Sequence, residues 1–239
     1  MRTYSRDEKL LMHFFQDSGT NITLKWLSTD VIRAIEPKVS NGHRFILVTI
    51  DYFIKWVEAT SYTSVTRSVV VRFIKKEIIY RYRLPRNIIT DIATNLNNKM
   101  MKEMYEDFKI QHHNSTPYRP KMNGAVEAAS KNIKKIVQKM IVSYKDWHEM
   151  LPFTLHGYQT SIHTSTRATP FSMVYGMEVV LPFEVEVPSL RILVESGLKE
   201  LEWAQTRFDQ LNLIEGKRLA AMSHERLYQR RVKNAFDKK

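Results

Sequence analysis

The chain contains no cysteine, and glycine is scarce. Without cysteine there are no disulfide bonds, no zinc sites built on thiolates and no catalysis by a reactive thiol. The 7 glycines among 239 residues are fewer than half of the ~7% that is usual in globular proteins. Few positions therefore carry the residue that adopts a positive φ most easily.

Long hydrophobic runs are also missing. The apolar run at residues 45–50 ends at Asp51 and is far shorter than the roughly 20 residues that span a bilayer. The first eight residues lack the apolar core of a signal peptide, which predicts an intracellular protein that is not secreted. A hydrophobic content of 43% nevertheless suffices for a buried core, in one medium domain with extensions or two small domains.

Positive charge is present in excess and is concentrated in two segments. The net charge is +12, and residues 131–145 contain five lysines and no acid. Residues 216–239 contain eight lysines and arginines against two acids. Concentrated positive charge favours a polyanionic partner, nucleic acid first, although a solvated face with a basic tail has the same composition.

The order of the predicted elements indicates an α/β fold. Residues 24–30, 44–51 and 56–59 are predicted as an antiparallel meander, with Ser40-Asn41-Gly42 as a turn. A helix capped by Ser64 and a strand at 87–90 follow. Next come a helix, a short strand at 110–113 and a helix at 123–142; the first of these is predicted to bury Met100, Met101, Met104, Tyr105 and Phe108. This order predicts a sheet covered by helices, and the pattern becomes helical, polar and basic from about residue 195.

Three acids stand at the ends or starts of these elements. Asp30 closes the first predicted strand, Asp91 follows the strand at 87–90, and Glu127 opens a helix after 35 intervening residues. Acids on two strand ends and one helix start can converge on one point, where their oxygens are ligands of the type that Mg²⁺ requires. Two magnesium ions held in this way can drive phosphodiester cleavage and transfer.

The helix at 123–142 has two interpretations. Glu127, Lys131 and Lys134 lie within about 60° of one another on a helix and form an exposed stripe. The stripe faces away from the predicted core positions Ile133, Ile136, Val137 and Met140. Glu127 and Lys131 can form a simple salt bridge worth a few tenths of a kcal/mol. Alternatively, the acid binds metal and the lysines bind phosphate.

The two adjacent histidines, His112 and His113, are a weaker candidate for metal binding. Neighbouring residues of a strand point to opposite faces, so the two rings are not expected to bind one ion. A structural role is the interpretation that the sequence favours.

Several short strings resemble the catalytic core of retroviral-type integrases. They are Thr90-Asp91, Tyr118-Arg119-Pro120, residues 123–127 (NGAVE), residues 166–171 (TRATPF) and Val174-Tyr175-Gly176. The resemblance covers roughly residues 26–236 and is strongest to Gypsy-type (Metaviridae) long-terminal-repeat retrotransposons of plants. It implies an RNase H-like fold, with a five-stranded mixed sheet flanked by helices and a basic helical C-terminal extension.

The resemblance also implies a domain division and a set of site residues. Residues 1–22 are a poorly specified leader, 23–182 the catalytic domain, and 183–239 a linker and basic helical extension. Asp51 also ends a strand, but Asp30 precedes the loop and Asn-Gly turn as the family's first acid does. The implied catalytic and metal-binding residues are Asp30, Asp91 and Glu127, and the implied DNA-binding residues are Lys131, Lys134, Tyr118, Asn123 and Gly124.

The implied activity is metal-dependent 3′-end processing and strand transfer on double-stranded DNA, with element ends and target as substrates. It implies two Mg²⁺ or Mn²⁺ ions, a homo-oligomer and a nuclear location. Related sequences usually carry Asn-Gly after the second acid and Gly in the later TST string. Here those positions hold Ile92-Ala93 and Arg167. A catalytically inert DNA-binding remnant is therefore the alternative to an active integrase, and a general RNase H-type nuclease is a third hypothesis.

Overall fold

The computed structural model describes residues 24–32, 35, 40–90, 96–114, 130–135, 146–179, 197 and 199–236. Contacts within the chain divide it between Tyr158 and Gln159 into two compact units. The first unit contains a β-sheet, and the described part of the second unit is mostly helical.

The sheet of the first unit has five strands in the order β3-β2-β1-β4-β5. Strands β1, β2 and β3 pair antiparallel, whereas β4 pairs parallel with both β1 and β5. The sheet is therefore mixed, as the resemblance implies. The strands are β1 (Trp26–Ile32), β2 (Phe45–Asp51), β3 (Val57–Tyr62), β4 (Asn87–Thr90) and β5 (Gln111–Asn114).

Four helical segments accompany the sheet in the described residues. Helix α1 (Arg67–Phe73) continues as the π-helical stretch Ile74–Ile79 and a last turn, Tyr80–Tyr82. Helix α2 is Lys99–Asp107, α3 comprises helical residues 130–135, and α4 is Trp147–Thr160. The second unit contains α5 (Pro170–Tyr175), α6 (Glu200–Asn212) and α7 (Ile214–Phe236). Among the helices described, none is both long and apolar enough to cross a membrane.

Two details of the predicted helices are wrong. The cap of α1 is Thr66 and not Ser64, because the Thr66 hydroxyl accepts a hydrogen bond from the Val69 N–H group. Met100 is 46% exposed in the first turn of α2, whereas Met101 in the same turn is fully buried. The other four residues predicted to be buried in this region are buried.

Helices lie on both faces of the sheet. On one face, α3 and α4 contribute to an apolar cluster with β1, β2 and β3 that includes Ile133, Trp147, Leu151, Val48 and Ile50. On the other face, α2 contacts β5 through stacked aromatic rings, and the last turn after α1 binds β3 through hydrogen bonds. The result is the layered α/β arrangement that the order of elements predicts.

The second unit is held together at the C-terminal end of α5. Gly176 follows α5 with φ of +79°, and a Cβ there would lie 3.4 Å from the backbone oxygen of Gln210. The Lys217 Nζ donates to the Gly176 carbonyl over 2.7 Å, and the Arg218 Nε donates to the Met173 carbonyl over 2.9 Å. Two basic side chains of α7 thus satisfy carbonyls at a helix end, where positive charge is stabilising.

Candidate metal and DNA site

Asp30 lies inside β1, two residues before the strand ends. The predicted strand closes at Asp30, but pairing with β2 continues from Asp30↔Val48 to Ile32↔Ile46. On the other side, the pairing of β1 with β4 ends at Thr29↔Thr90. Asp30 is half-buried. It is paired with β2 on one side, whereas on the other side the pairing with β4 ends one residue before it.

Both carboxylate oxygens of Asp30 accept a hydrogen bond. Oδ1 accepts from the Val31 N–H group over 2.7 Å, and Oδ2 accepts from the Ser130 hydroxyl over 3.2 Å. Ser130 is 7% exposed and belongs to α3, 100 residues away in the chain. This bond fixes α3 beside the predicted first acid.

Asp91 and Glu127 lie outside the described residues, but their neighbours in the chain do not. Thr90, directly before Asp91, is the register partner of Thr29, directly before Asp30. Ser130, which binds Asp30, follows Glu127 by three residues in the sequence. The described structure thus brings chain neighbours of all three acids to the same end of the sheet.

Asp51, the rival first acid, lies at the opposite end of β1. It pairs with Leu27, and three residues of a strand separate Leu27 from Asp30 by roughly 10 Å. Its Oδ1 accepts from the N–H groups of Phe53 and Ile54, and its Oδ2 accepts from that of Lys25. Burial raises the pKa of Asp51 while these backbone hydrogen bonds lower it. At 2% exposure, this carboxylate caps the turn after β2.

The chemistry of Asp30 fits a hard cation. Its half-exposed carboxylate uses two of about four acceptor positions in the hydrogen bonds described, which leaves lone pairs for a metal ion. No group of three or more potential metal ligands occurs among the described residues, a set that includes neither Asp91 nor Glu127. Carboxylate oxygen is the ligand type that Mg²⁺ prefers.

The predicted DNA-binding residues are only partly within the described structure. Helix α3 turns Ile133 inward, where it is fully buried, and leaves Lys131 exposed and Lys134 half-buried. Tyr118, Asn123 and Gly124 lie outside the described residues. An exposed lysine one position after Ser130 therefore stands on the same helix that contacts Asp30.

The two histidines of β5 point to opposite faces of the sheet. His112 stacks on Tyr105, with ring centroids 4.6 Å apart, and its Nε2 lies 2.8 Å from the Thr90 Oγ1. His113 stacks on Trp26, and its Nε2 lies 3.1 Å from the Asn87 Oδ1. Burial lowers the pKa of His112, and His113 and Lys102 lower it further. The two rings do not converge on one metal site.

The sequence alone does not reveal the contact between Ser130 and Asp30. The available signal was the spacing of three residues from Glu127, because residues three apart lie on one side of a helix. The threonines that directly precede Asp30 and Asp91 were a second signal, because equal positions before two acids indicate equal positions in two neighbouring strands.

The fold is the RNase H-like fold of retroviral integrase cores. A catalytic core domain of BIV integrase matches it with a TM-score of 0.52 at 18% identity, over 62% of this chain and 92% of that one. A chain of the simian T-cell lymphotropic virus intasome in complex with PP2A regulatory subunit B56 gamma matches with a TM-score of 0.57 at 19% identity. That match covers 67% of this chain and 57% of the other.

Similarity in sequence extends to retrotransposon polyproteins. The chain is 25% identical over 189 residues to the Transposon Tf2-3 and Tf2-4 polyproteins of Schizosaccharomyces pombe. The match covers 78% of this chain but spans only 14% of the length of those polyproteins. No protein-family model matches the chain. Fold and sequence similarity together support an integrase domain.

Proposed function

We propose that the chain is the catalytic domain of a Gypsy-type retrotransposon integrase, most similar to those of plants. It binds double-stranded DNA and carries out 3′-end processing and strand transfer. The observation that carries the proposal is the convergence at Asp30, where Thr90 lies across the ladder from the preceding residue and Ser130 donates to the carboxylate. The similarity to Tf2 polyproteins supports the same function.

The proposed ligands of Mg²⁺ or Mn²⁺ are Asp30, Asp91 and Glu127. When bound, two such ions stabilise the attacking and leaving oxygens of an in-line displacement at phosphorus. The chain's own contribution is orientation. The Val31 N–H group and the Ser130 hydroxyl hold the Asp30 carboxylate in one direction. Asp30 acts as a ligand and not as a general base.

Binding of DNA is proposed to use lysines near the acids and the basic last helix. Lys131 is exposed on α3, directly after the residue that contacts Asp30. Arg226, Arg230 and Arg231 are exposed along α7. Such groups neutralise phosphates and release counterions. We propose element ends and target DNA as partners of a homo-oligomer acting in the nucleus.

The proposal is tested by a strand-transfer assay on oligonucleotide duplexes with Mg²⁺ or Mn²⁺. The wild-type chain is expected to join 3′ ends to target DNA, whereas Asp91→Asn is expected to form no product but to keep most of its DNA affinity. The reason is that the acid binds metal while cationic side chains supply the affinity for phosphate. A wild-type product level no higher than that of Asp91→Asn contradicts the proposed catalytic activity.

The second candidate is a DNA-binding remnant without catalysis. It is favoured by Ile92-Ala93, which stand where related sequences usually carry Asn-Gly beside the second acid. This candidate predicts DNA binding with a steep dependence on salt and no product in the same assay. Absent or salt-insensitive DNA binding contradicts both candidates.

A further inference from the structure

A row of polar residues crosses the sheet at the level of Thr29 and Thr90, which directly precede the predicted acids Asp30 and Asp91. Strand pairing places these residues side by side, one from each strand: Asn114, Thr90, Thr29, Thr49 and Glu58. Directly paired residues of neighbouring strands share a face, so the row lies on the face that α2 and the turn after α1 contact. Its three threonines are at most 2% exposed.

Hydrogen bonds link the threonines to their neighbours. The Oγ1 atoms of Thr29 and Thr49 lie 2.9 Å apart, which joins β1 to β2. The Thr90 Oγ1 lies 2.8 Å from the His112 Nε2, which joins β4 to β5. A buried hydroxyl without a hydrogen-bond partner destabilises the folded protein. Sliding of the strand ends would break these bonds and is therefore opposed by them. A slip of one residue would move each hydroxyl to the other face.

Packing alone does not account for hydroxyls at these positions. Two residues earlier on the same face, β1 and β4 pair Leu27 with Ile88, and both are 1% exposed. Valine has nearly the shape of threonine, so it would fill the same space without a polar atom. In β1 and β4, the threonines stand directly before Asp30 and Asp91. In these two strands, the hydrogen-bonded hydroxyls thus belong to the residues that directly precede the predicted acids.

We propose that Thr29, Thr49, Thr90 and His112 are positioning residues, which anchor the end of β1 to β2 and the end of β4 to β5 and so keep Asp30 and Asp91 where they can bind metal together. The inference rests on the proposed function. None of the four residues is itself a ligand. His112 anchors the end of β4, because its ring is fixed by stacking on Tyr105 and its Nε2 is hydrogen-bonded to Thr90, the last residue of that strand.

The test measures Mn²⁺ affinity by calorimetric titration, together with the thermal unfolding temperature. Thr90→Val and His112→Phe each remove the bond while keeping shape or ring stacking. Both are expected to weaken Mn²⁺ binding by about 10-fold, the lower end of what groups that orient metal ligands contribute. The double variant is expected to bind no more weakly than either single variant, because both remove one bond.

His113→Phe is the matched control. It keeps a ring against Trp26 and removes a hydrogen bond from the same strand, but that bond goes to Asn87 at the other end of β4. It is expected to bind Mn²⁺ as the wild type does. Thr90→Ser keeps the hydroxyl and is expected to restore nearly wild-type affinity. Equal effects of His113→Phe and His112→Phe on affinity overturn the inference.

The outcomes separate this inference from the proposed function. A wild-type chain that binds Mn²⁺ while Thr90→Val and His112→Phe bind it equally well, with only their unfolding temperatures changed, overturns the positioning role and leaves the integrase proposal standing. A wild-type chain that binds no Mn²⁺ overturns both. If Thr90→Val does not fold, Thr49→Val removes the partner of Thr29 from β2, a strand that carries none of the three predicted metal ligands, and unchanged affinity in that variant overturns the inference equally.

Discussion

Asp30 and Asp51 both lie in strands of the sheet, and the hydrogen bonds that their carboxylates accept distinguish them. Asp51 accepts three backbone hydrogen bonds in a buried turn, which occupies the carboxylate with local structure. Asp30 is half-buried and accepts one bond from its own strand and one from α3. The sequence favours Asp30 only through resemblance, because the two environments depend on contacts between distant parts of the chain.

Replacing Ser130 tests the contact that the sequence did not reveal. Ser130→Ala removes the hydroxyl that holds the Asp30 Oδ2, and we expect the strand-transfer rate to fall by about 10-fold because the ligand loses its fixed direction. Ser130→Thr keeps a hydroxyl and is expected to retain most of the rate. Single-turnover strand transfer measures both. An alanine variant as fast as the wild type would show that this bond is not needed for catalysis.

Glu58 gives a prediction about pH and stability. It is 6% exposed on β3 and accepts from Trp56 and Tyr82 while pairing with Arg81. Burial raises the pKa of Glu58 above its ordinary value of 4.5, and the pair with Arg81 lowers it by less. The folded state therefore holds the proton more tightly than the unfolded state. This contribution to the free energy of unfolding is full below pH 4.5 and is lost as the pH rises through the folded-state pKa.

The variant Glu58→Gln removes this contribution because it does not titrate. Urea unfolding between about pH 4 and pH 7 measures the difference in free energy of unfolding between the wild type and Glu58→Gln. We expect the stability of the wild type relative to the variant to fall as the pH rises. A relative stability that is constant or rises with pH would contradict the direction of the shift.

At the scale of elements, local signals predict where helices and strands occur better than where they begin. Ser64 and Thr66 both have hydroxyls that can cap a helix, and the structure selects Thr66 because its Oγ1 reaches the Val69 N–H group. Pairing with β2 extends β1 past Asp30, and this pairing cannot be read from residues 24–30 alone. The comparison with related sequences, by contrast, identifies one position where a residue other than glycine has a positive φ.

Arg167 is such a position. It stands where related sequences usually carry Gly, and its φ is +56° in the turn closed by His163 and Ala168. The side chain is exposed, so its removal costs little packing. We expect Arg167→Gly to raise the free energy of unfolding by about 0.5–1 kcal/mol. Glycine removes the strain of a left-handed backbone conformation, but it also increases the conformational entropy of the unfolded chain, which offsets part of the gain. Chemical denaturation measures the change.

The matched control is Arg167→Ala, which removes the guanidinium but leaves a residue with a Cβ at positive φ. We expect no gain in stability from it. An equal gain from alanine and glycine would show that charge, and not backbone conformation, sets the cost at this turn.

At the scale of the whole molecule, the pattern of strands and helices predicts the layered sheet because hydrophobic periodicity records which faces are buried. That the sheet has five strands and is mixed came from resemblance. Its order β3-β2-β1-β4-β5 is a finding of the structure, since the pairing of β4 beside β1 joins segments that are far apart in the chain. The candidate site follows the same division. The sequence predicts its acids, whereas Ser130, His112 and the threonine row become visible only when the strands are paired.

The excess of positive charge predicts how DNA binding responds to salt. Arg226→Ala and Arg230→Ala each remove an exposed cation from α7, and we expect each to reduce the slope of log affinity against log salt by about 0.9 if it contacts a phosphate of duplex DNA. Fluorescence anisotropy at several salt concentrations measures the slope. Lys99→Ala is the control, because Lys99 is an exposed cation of α2, which lies on the face of the sheet opposite to α3. A slope unchanged in both arginine variants would remove α7 from the DNA interface.

Mn²⁺ binding distinguishes Asp30 from Asp51 as a ligand of a metal site of the integrase type. The decisive measurement is calorimetric titration of the wild type, Asp30→Asn and Asp51→Asn with Mn²⁺. We expect the wild type to bind Mn²⁺, Asp30→Asn to lose most of this binding, and folded Asp51→Asn to retain it. Wild-type affinity in Asp30→Asn, or its loss in a folded Asp51→Asn, would contradict the assignment.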